Sequence, residues 1–493
     1  MIDHNNINPF ENYSGSLNIS KPGNLIMLFS IISISALIIA KLGVMGIGLL
    51  LALVFGSVYL YYLFCYPIIG YYTAIALNFV IIGIGRYVKG LPLGFAIDGI
   101  LVLTYLALFM NKFRTRIDWT PAKKDITFLA ILWLGYSIFQ LINPEARSVE
   151  AWISGRGIAF YPFLFIPLTF MFINNEKKLS YLFYLWAAFS ILATLKGIMQ
   201  MTLGVDSAEQ EWLNEGSYKT HILFGKLRVF SFFSDAGQFG ANQGYTGVVF
   251  IIYALSQQKI LNKVFFIFVG LLGIYGMVIS GTRGALSVPI VGFMTYFILS
   301  KNLKVIITGV AFLAIVFIFF KYTTIAQGNA QVRRMRTAFD PNDASLQVRL
   351  DNQKILKNYL SSRPFGGGIG HGGTKAQKYL PNAFLSNVAT DSWYVLIWVE
   401  QGIVGLILHL AILFYVMIKA SLIVMFKIKD PLLKYKMSAL IGGMSGIMVA
   451  SYGNAVLGQM PTALLIYATM AIVLNSDVYE KEIEQNQPEI IKA

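Results

Sequence analysis

The sequence predicts an all-α polytopic membrane protein, and three observations carry that prediction. Hydrophobic residues make up 56% of the 493 residues and charged residues only 13%, whereas soluble domains carry about 25% charged residues. Apolar runs of about 20 residues, the length that crosses a bilayer as a helix, recur along the chain. The runs are continuous, which is not the alternating pattern of transmembrane strands.

Fourteen segments are candidate spanning helices, although the first three are closely packed and one could be re-entrant, so the total is about 12–14. They are 24–42, 44–64, 67–86, 95–111, 125–144, 157–174, 179–202, 239–257, 262–281, 283–300, 303–321, 391–425, 435–453 and 459–475. No cleavable signal is expected, because the first residues are polar and no basic region leads into a short apolar core.

Basic residues in short loops predict the orientation, because such loops stay in the cytoplasm. They lie in five loops: 112–124, 175–178, 258–261, 301–302 and 426–434. If the helices alternate, all five share one side with both termini. The net charge of +15 then reflects cytoplasmic loops and anionic lipid rather than nucleic acid.

The expected organisation follows from this orientation. It comprises a cytoplasmic tail at 1–23, a helix bundle at 24–321 with an outer loop at 203–238, a long outer loop at 322–390, helices at 391–475 and a cytoplasmic tail at 476–493. One cysteine, Cys65, excludes an intrachain disulfide. With four histidines and no zinc or calcium spacing, neither a metal site nor a cofactor is expected.

The outer loop 322–390 is too long to be a plain connector. Its stretch 345–360 has apolar residues at helical spacing, which predicts a short helix lying on the membrane face. The glycine run 366–370 lacks the GK[ST] ending of a nucleotide loop. It is expected to form a tight turn at the surface instead.

Two arginines on the outer side are candidate ligands for an anion. Arg283 stands between two apolar runs, where it is either an interfacial anchor or a phosphate clamp. Arg349, in the predicted helix of the long loop, is either on a solvated helix face or a second phosphate ligand.

Asp391 opens the helix 391–425, where it could serve as an N-cap or accept a proton from a sugar hydroxyl. Nearby aromatic residues could stack on sugars or form an interfacial belt; these are Phe230, Phe232 and Trp393. Three further outer residues are candidate substrate contacts, namely Arg228, His371 and Arg156, although anchoring or solvation would also explain the last two.

In order along the chain, these pieces resemble the O-antigen polymerase and O-antigen ligase superfamily of bacterial inner membranes. The resembling motifs are Arg228-Val-Phe-Ser-Phe-Phe-Ser-Asp-Ala-Gly-Gln, Ser280-Gly-Thr-Arg283-Gly-Ala, Arg349, Pro364-Phe-Gly-Gly-Gly-Ile-Gly370 and Asp391-Ser-Trp-Tyr-Val-Leu-Ile-Trp-Val-Glu-Gln-Gly-Ile-Val-Gly405. They cover roughly 220–410.

The resemblance implies a periplasmic loop over a membrane cavity, with two arginines that bind the diphosphate of an undecaprenyl-linked glycan. By position these are Arg283 and Arg349. Ligases of the family have a histidine at the start of the helix that runs into a Gly-x-x-Gly motif. Here Asp391 stands eleven residues before Gly402, and this departure favours a polymerase.

The expected function is therefore periplasmic polymerisation of undecaprenyl-diphosphate-linked repeat units by a metal-independent glycosyltransferase of the inner membrane. The expected partners are the lipid-linked glycan donor, a glycan acceptor, membrane lipid and a chain-length regulator. A ligase that transfers the glycan to lipid A core or another acceptor is one alternative. A lipid-linked glycan flippase is another, although intramembrane charges that would suit it are few: Asp98, Lys196 and Glu400.

Overall fold

The computed structural model describes residues 22–88, 90, 93–111, 117–223, 225–328, 330–339 and 344–486. The predicted N-terminal tail lies outside these residues up to position 21, as do the basic residues of 112–116 and the C-terminal residues 487–493. The chain divides into two compact units, Met1–Tyr71 with Gly99–Ile117, and Tyr72–Asp98 with Asp118–Ala493. The candidate site lies in the second unit.

Twenty α-helices form the described part of the chain. They are α1 (Pro22–Leu42), α2 (Val44–Cys65), α3 (Ile68–Tyr87), α4 (Ala96–Asn111), α5 (Asp125–Phe139), α6 (Val149–Gly155), α7 (Gly157–Phe172), α8 (Glu176–Thr202), α9 (Ser207–Trp212), α10 (Tyr218–His221), α11 (Ala236–Ala254), α12 (Ile260–Ile279), α13 (Ser287–Ser300), α14 (Leu303–Tyr322), α15 (Ala330–Arg336), α16 (Ala344–Leu360), α17 (Trp393–Phe426), α18 (Pro431–Gly453), α19 (Thr462–Leu474) and α20 (Ser476–Asn486). Two short antiparallel strands, β1 (Ile222–Leu223) and β2 (Lys226–Leu227), form a hairpin between α10 and α11.

Each of the fourteen predicted segments is helical, and the prediction of an all-α polytopic membrane protein is confirmed. Among the described residues, ten helices are long and apolar enough to cross a membrane, or eleven if α19 and α20 count as one bent span. The number is lower than predicted partly because α11 contains polar residues, including Gln238, Asn242 and Gln243.

Helix α11 occupies the centre of the second unit, and almost all of its residues are buried. Its polar side chains bond to neighbouring helices: Asn242 Nδ2 donates to Thr462 Oγ1 of α19 at 3.2 Å, and Trp186 Nε1 of α8 donates to Thr246 Oγ1 at 3.1 Å. Buried polar groups are stable when they are hydrogen-bonded in this way. A polar helix therefore fits the centre of the bundle, where other helices shield it from lipid.

Basic loops that were predicted to share one side of the membrane meet at one end of the second unit. Lys124 lies 3.7 Å from Asp477 of α20, and the backbone N–H of Lys429 donates to Glu480 of α20 at 2.5 Å. The backbone N–H of Glu176 also donates to Glu482 of α20 at 2.8 Å. Loops from three parts of the chain are thus gathered around α20, while the assignment of this end to the cytoplasm stays a prediction.

Helix α17 is broken at Gly402, where φ is +69° and the backbone leaves the helical conformation. The glycine run of the long loop inserts at this break: Gly367 N–H donates to Val399 O and Gly368 N–H to Glu400 O, both at 2.8 Å. A Cβ atom at Gly402 would lie 2.0 Å from Pro364 O. The glycines thus let two backbones touch, and the predicted tight turn anchors the long loop to α17.

Helix α16 confirms the helix predicted for 345–360. Its Leu356 and Leu360 pack against Leu385 and Val399, the latter in α17. Arg349 precedes Leu356 by seven residues and so lies on the same helix face. Docking of this apolar face therefore turns Arg349 toward the start of α17.

Candidate active site

The first part of the site is the turn between α12 and α13, which carries Arg283. The turn packs closely on α11, because a Cβ atom at Gly240 would lie 2.2 Å from Ser280 Oγ. Gly281 has a φ of +59°, a conformation that favours glycine. Arg283 is partly buried, and its Nη1 donates to Thr337 Oγ1 at 3.2 Å. Small residues thus fix the position of a guanidinium at the end of α12.

Arg228 reaches the same turn from the β-hairpin. Its Nη2 donates to Thr282 Oγ1 at 3.2 Å and its Nη1 to Thr220 O at 3.2 Å. Burial lowers the pKa of Arg228, the carboxylate of Asp235 opposes that shift, and the positive charges of Arg283 and Arg349 add to it. Arg228 is bonded to the neighbour of Arg283 in the chain, and Arg349 lies beside the end of α18, which also contacts the Arg283 turn. These three residues are called the arginine cluster.

Arg349 forms an ion pair with Asp391, with 3.5 Å between Nε and Oδ2. Their side chains are 32% and 47% exposed, so a ligand can reach both. Ser392 holds the N-cap position of α17, which begins at Trp393. The interpretation of Asp391 as an N-cap is therefore wrong, and its carboxylate faces Arg349 instead.

The end of α18 lies between the arginines. A Cβ atom at Gly453 would be 3.9 Å from Arg349 Nη1, and one at Gly284 would be 3.0 Å from Asn454 Nδ2. Asn454 also lies beside Gly237, where an added Cβ would be 3.3 Å from Asn454 Oδ1. The sequence pattern does not reveal Asn454; its one signal is a polar side chain directly after the glycine that ends an apolar run.

Two helix ends add to the electrostatics of the site. α11 begins beside Arg228, with Asp235 as its N-cap: Oδ1 accepts from Gln238 N–H at 2.9 Å. The N-terminus of a helix favours anions, and the C-terminus, here that of α18 near Arg349, favours cations. Guanidinium groups bind phosphate bidentately and stay charged. The arrangement can therefore bind a diphosphate and stabilise negative charge that develops on it.

Comparison with known proteins gives a consistent result. A family model described as O-antigen ligase matches residues 267–410. The chain is also 25% identical over 341 residues to an O-antigen polymerase of Salmonella muenchen. The aligned region covers 65% of this chain and 80% of that protein. The resemblance to the O-antigen polymerase and ligase superfamily is confirmed.

The stretch matched by the O-antigen ligase family model contains Arg283, Arg349 and Asp391. Arg228 and Asn454 lie outside it, one on each side. They reach the site because α11 and α18 both pack against the Arg283 turn. The candidate site therefore includes residues outside the stretch that the family model matches.

Two aromatic residues that were expected to stack on sugars lie inside the protein. Trp393 is 2% exposed, and its indole N–H donates to His409 Nε2 at 2.9 Å. Phe230 is fully buried. A ring stacks on a sugar only when one of its faces is open, so this expectation is wrong for both. Phe232 is partly buried against Gly83 of α3.

His371 holds the glycine run in place. It is buried; its Nε2 accepts from Ser148 N–H at 3.1 Å, and its Nδ1 lies 3.0 Å from Ile369 O. Burial lowers the pKa of His371, so the ring is neutral near pH 7. Both nitrogens are bonded to backbone, which corrects the expectation that His371 contacts substrate.

Arg156 is occupied by protein groups. Its Nε donates to Asp98 Oδ2 at 2.8 Å, its Nη2 to Gly94 O at 2.9 Å and its Nη1 to Ile153 O at 2.8 Å. The guanidinium also lies 3.8 Å from the ring centre of Phe95. The anion that Arg156 binds is therefore the carboxylate of Asp98 rather than a substrate phosphate. Arg156 is not part of the arginine cluster.

Proposed function

We propose that the chain is a glycosyltransferase that polymerises undecaprenyl-diphosphate-linked oligosaccharide repeat units on the periplasmic face of the inner membrane. One observation carries the proposal: Arg228, Arg283 and Arg349 form a cluster, and Asp391 is paired with the last of them. Guanidinium groups gathered in this way suit a diphosphate, whose oxygens accept charge-assisted, bidentate hydrogen bonds.

In the proposed reaction, a hydroxyl oxygen of the acceptor glycan attacks the anomeric carbon of the donor. The bond from that carbon to the diphosphate oxygen breaks, and its electron pair leaves with undecaprenyl diphosphate. Guanidinium groups already aimed at the leaving oxygens stabilise this charge without reorganisation, by a few kcal/mol for each contact. Direct displacement predicts inversion at the anomeric carbon.

Asp391 is the proposed acceptor of the hydroxyl proton. In the structure its Oδ2 pairs with Arg349 Nε. A bound diphosphate competes for the same guanidinium, which would release the carboxylate toward the acceptor. The pair thus couples donor binding to formation of the base, and the exposure of both side chains supports this step.

An O-antigen ligase is the second candidate, because the family model that matches residues 267–410 bears that description. A ligase would use the same donor and the same arginine cluster but a different acceptor. The aspartate at position 391, where the resembling ligases have a histidine, favours the polymerase.

A flippase has less support from the structure. Asp98 is paired with Arg156, and Lys196 lies 3.0 Å from Asp206 and 3.2 Å from Glu209. Two of the three candidate intramembrane charges are therefore used in ion pairs, and the third, Glu400, accepts from the backbone N–H of Gly372 at 3.4 Å. A translocation path needs groups that meet the cargo.

Purified protein in liposomes tests the proposal. With lipid-linked repeat units as the only substrate, we expect products of two or more repeats and release of undecaprenyl diphosphate, detected by gel and mass spectrometry. Transfer that requires added lipid A core, with no multimers, would establish the ligase instead. Movement of lipid-linked glycan across the bilayer without new glycosidic bonds would refute both enzyme functions.

A further inference from the structure

A cleft of about 780 Å³ lies in the second unit. Its wall includes the end of α3, the residues just before α4, the junction of α6 and α7, Trp212 and Lys375. Ligand sites in proteins have volumes of about 300–1,000 Å³. The cleft is therefore large enough for a ligand, and the proposed chemistry at the arginine cluster does not use it.

The cleft borders the arginine cluster at the start of α11. Ser234 and Gln459 line the cleft, and Ser234 Oγ donates to Asp235 Oδ2 at 2.9 Å and lies 3.3 Å from Gln459 Oε1. Asp235 caps α11. The first carbonyl of that helix, Ala236 O, accepts from Thr282 Oγ1 at 2.8 Å, the hydroxyl to which Arg228 donates. The cleft and the cluster thus lie on either side of Ser234–Asp235, close enough for one substrate to contact both.

The cleft lining is mainly apolar, with a few hydroxyl and amide groups, and it is not strongly charged. Arg156 on its wall is paired with Asp98, and Arg86 lies 4.0 Å from Glu209. Lys375 and Glu215 contribute one charge of each sign. Hydroxyl and amide groups beside an aromatic ring suit a ligand that is rich in hydroxyl groups, whereas a second phosphate would need unmatched cations.

We infer that this cleft holds the saccharide chain of a lipid-linked substrate while the arginine cluster holds the diphosphate, an inference that rests on the proposed function. The saccharide belongs either to the donor, whose sugars extend from the diphosphate, or to the acceptor, whose hydroxyl attacks. Both sources present the same chemistry to the cleft, and kinetics separates them.

Two substitutions fill the cleft. Gly94 and Ser154 both line it and are exposed, and a Cβ atom at Gly94 meets nothing within 4 Å. Gly94→Trp and Ser154→Trp therefore place an indole in the cleft without displacing packed atoms. Ile153→Trp is the matched control, because Ile153 is the exposed neighbour of Ser154 on α6 and is not among the cleft residues.

The assay uses a donor and an acceptor that cannot exchange roles. The donor is a lipid-linked repeat unit whose attacking hydroxyl is blocked, and the acceptor is an alkyl glycoside of the repeat unit, which carries no diphosphate. Sugar-free undecaprenyl diphosphate, used as a competitive inhibitor, reports on the arginine cluster alone.

In each filled variant, the KM for one of the two substrates should rise by about tenfold, because the indole displaces the saccharide of that substrate. A rise for the alkyl glycoside assigns the cleft to the acceptor, and a rise for the donor assigns it to the donor sugars. Inhibition by undecaprenyl diphosphate should stay unchanged, as should all constants of Ile153→Trp. Lys375→Ala is a smaller change at an exposed position of the cleft and replaces the tryptophan variants if those fail to fold. It should raise the same KM by a smaller factor.

The inference is overturned if both KM values stay within about twofold of wild type in well-folded filled variants. Weaker inhibition by undecaprenyl diphosphate in those variants would also overturn it, because the cleft would then belong to the diphosphate site. If the wild-type protein forms no glycosidic bond, the proposed function fails. Saturation-transfer NMR of the alkyl glycoside with wild-type and filled proteins then tests saccharide binding in the cleft independently of any reaction.

Discussion

Arg156 and the arginine cluster show two different uses of the same side chain. The guanidinium of Arg156 is enclosed by Asp98, two carbonyl oxygens and the ring of Phe95. Arg228, by contrast, is bonded to the turn that carries Arg283, and Arg349 lies beside the end of α18 that contacts the same turn. The first arrangement neutralises a charge within the protein, and the second concentrates charge where a ligand can reach it.

The difference teaches how to separate structural from functional arginines at a membrane surface. Arg156 and Arg283 look alike in sequence, because each stands directly before an apolar run. What distinguishes them is the set of groups that meets the guanidinium after folding. Like charges held together by the fold lower its stability unless a ligand neutralises them, which is typical of functional sites.

The largest effect is expected from Arg283→Ala and Arg349→Ala. Each removes a cation proposed to stabilise the leaving diphosphate, so transfer should fall by about a hundredfold or more. Polymer laddering on polyacrylamide gels and initial rates in liposomes measure this loss. Immunoblots of the membrane fraction show whether the variants still insert.

Arg363→Ala is the matched control for Arg349→Ala. Arg363 belongs to the same loop, is similarly exposed at 29%, and lies 3.0 Å from Glu145. An exposed pair of this kind contributes about 1 kcal/mol or less, so transfer should change little. Normal laddering from either cluster variant, or an equal loss from Arg363→Ala, would contradict the distinction between the two sets.

The next largest effect is expected from Asp391→Asn, which keeps the shape of the side chain and removes its charge. A lost general base should lower kcat by about 10²-fold or more, with a smaller change in the KM for the donor. Asp391 is not the N-cap of α17, and its pair with Arg349 is exposed, so stability should fall by about 1 kcal/mol or less.

The double variant Arg349→Ala/Asp391→Asn separates the role of the Asp391 carboxylate as proton acceptor from its role as partner of Arg349. Residues that act as a pair are not additive, so the double variant should lose less than the product of the two single losses. A nearly wild-type rate for Asp391→Asn would mean that Asp391 only orients Arg349.

Much of the fold follows from the sequence because the bilayer sets the length of a spanning helix. All fourteen predicted segments are helical, and the helical spacing of apolar residues in 345–360 locates α16. The glycine run at 366–370 also forms the expected turn. Each of these features is local: length, periodicity or a residue type that tolerates positive φ.

What the sequence does not reveal depends on tertiary contacts. The sequence pattern of α11 does not show that the helix is central. In the structure it is enclosed by other helices, which hydrogen-bond to its polar groups. α17 begins two residues after the predicted start, which buries Trp393 and leaves Asp391 free of the cap. Asn454 joins the site only because α18 ends between Gly237 and Gly284.

A smaller effect is expected from Asn454→Ala. The amide lies between the start of α11 and the Arg283 turn, so we expect it to bond to the bound substrate. Its loss should remove about one such hydrogen bond, roughly 1 kcal/mol. The rate should then fall several-fold. Asn358→Ala, at an exposed position of α16, is the control and should leave the rate unchanged. A wild-type rate for Asn454→Ala would exclude the amide from the site.

The smallest effect on transfer is expected from Asp98→Asn, which breaks the other arginine arrangement. The side chains of Arg156 and Asp98 are only 15% and 21% exposed, so the pair lies between surface and buried pairs, and its loss should cost about 2 kcal/mol of stability. Thermal unfolding in detergent measures that loss. Arg156 keeps its bonds to Gly94 O and Ile153 O, so the rate for each folded molecule should stay near wild type. A lower rate with unchanged unfolding temperature would instead place Arg156 among the functional arginines.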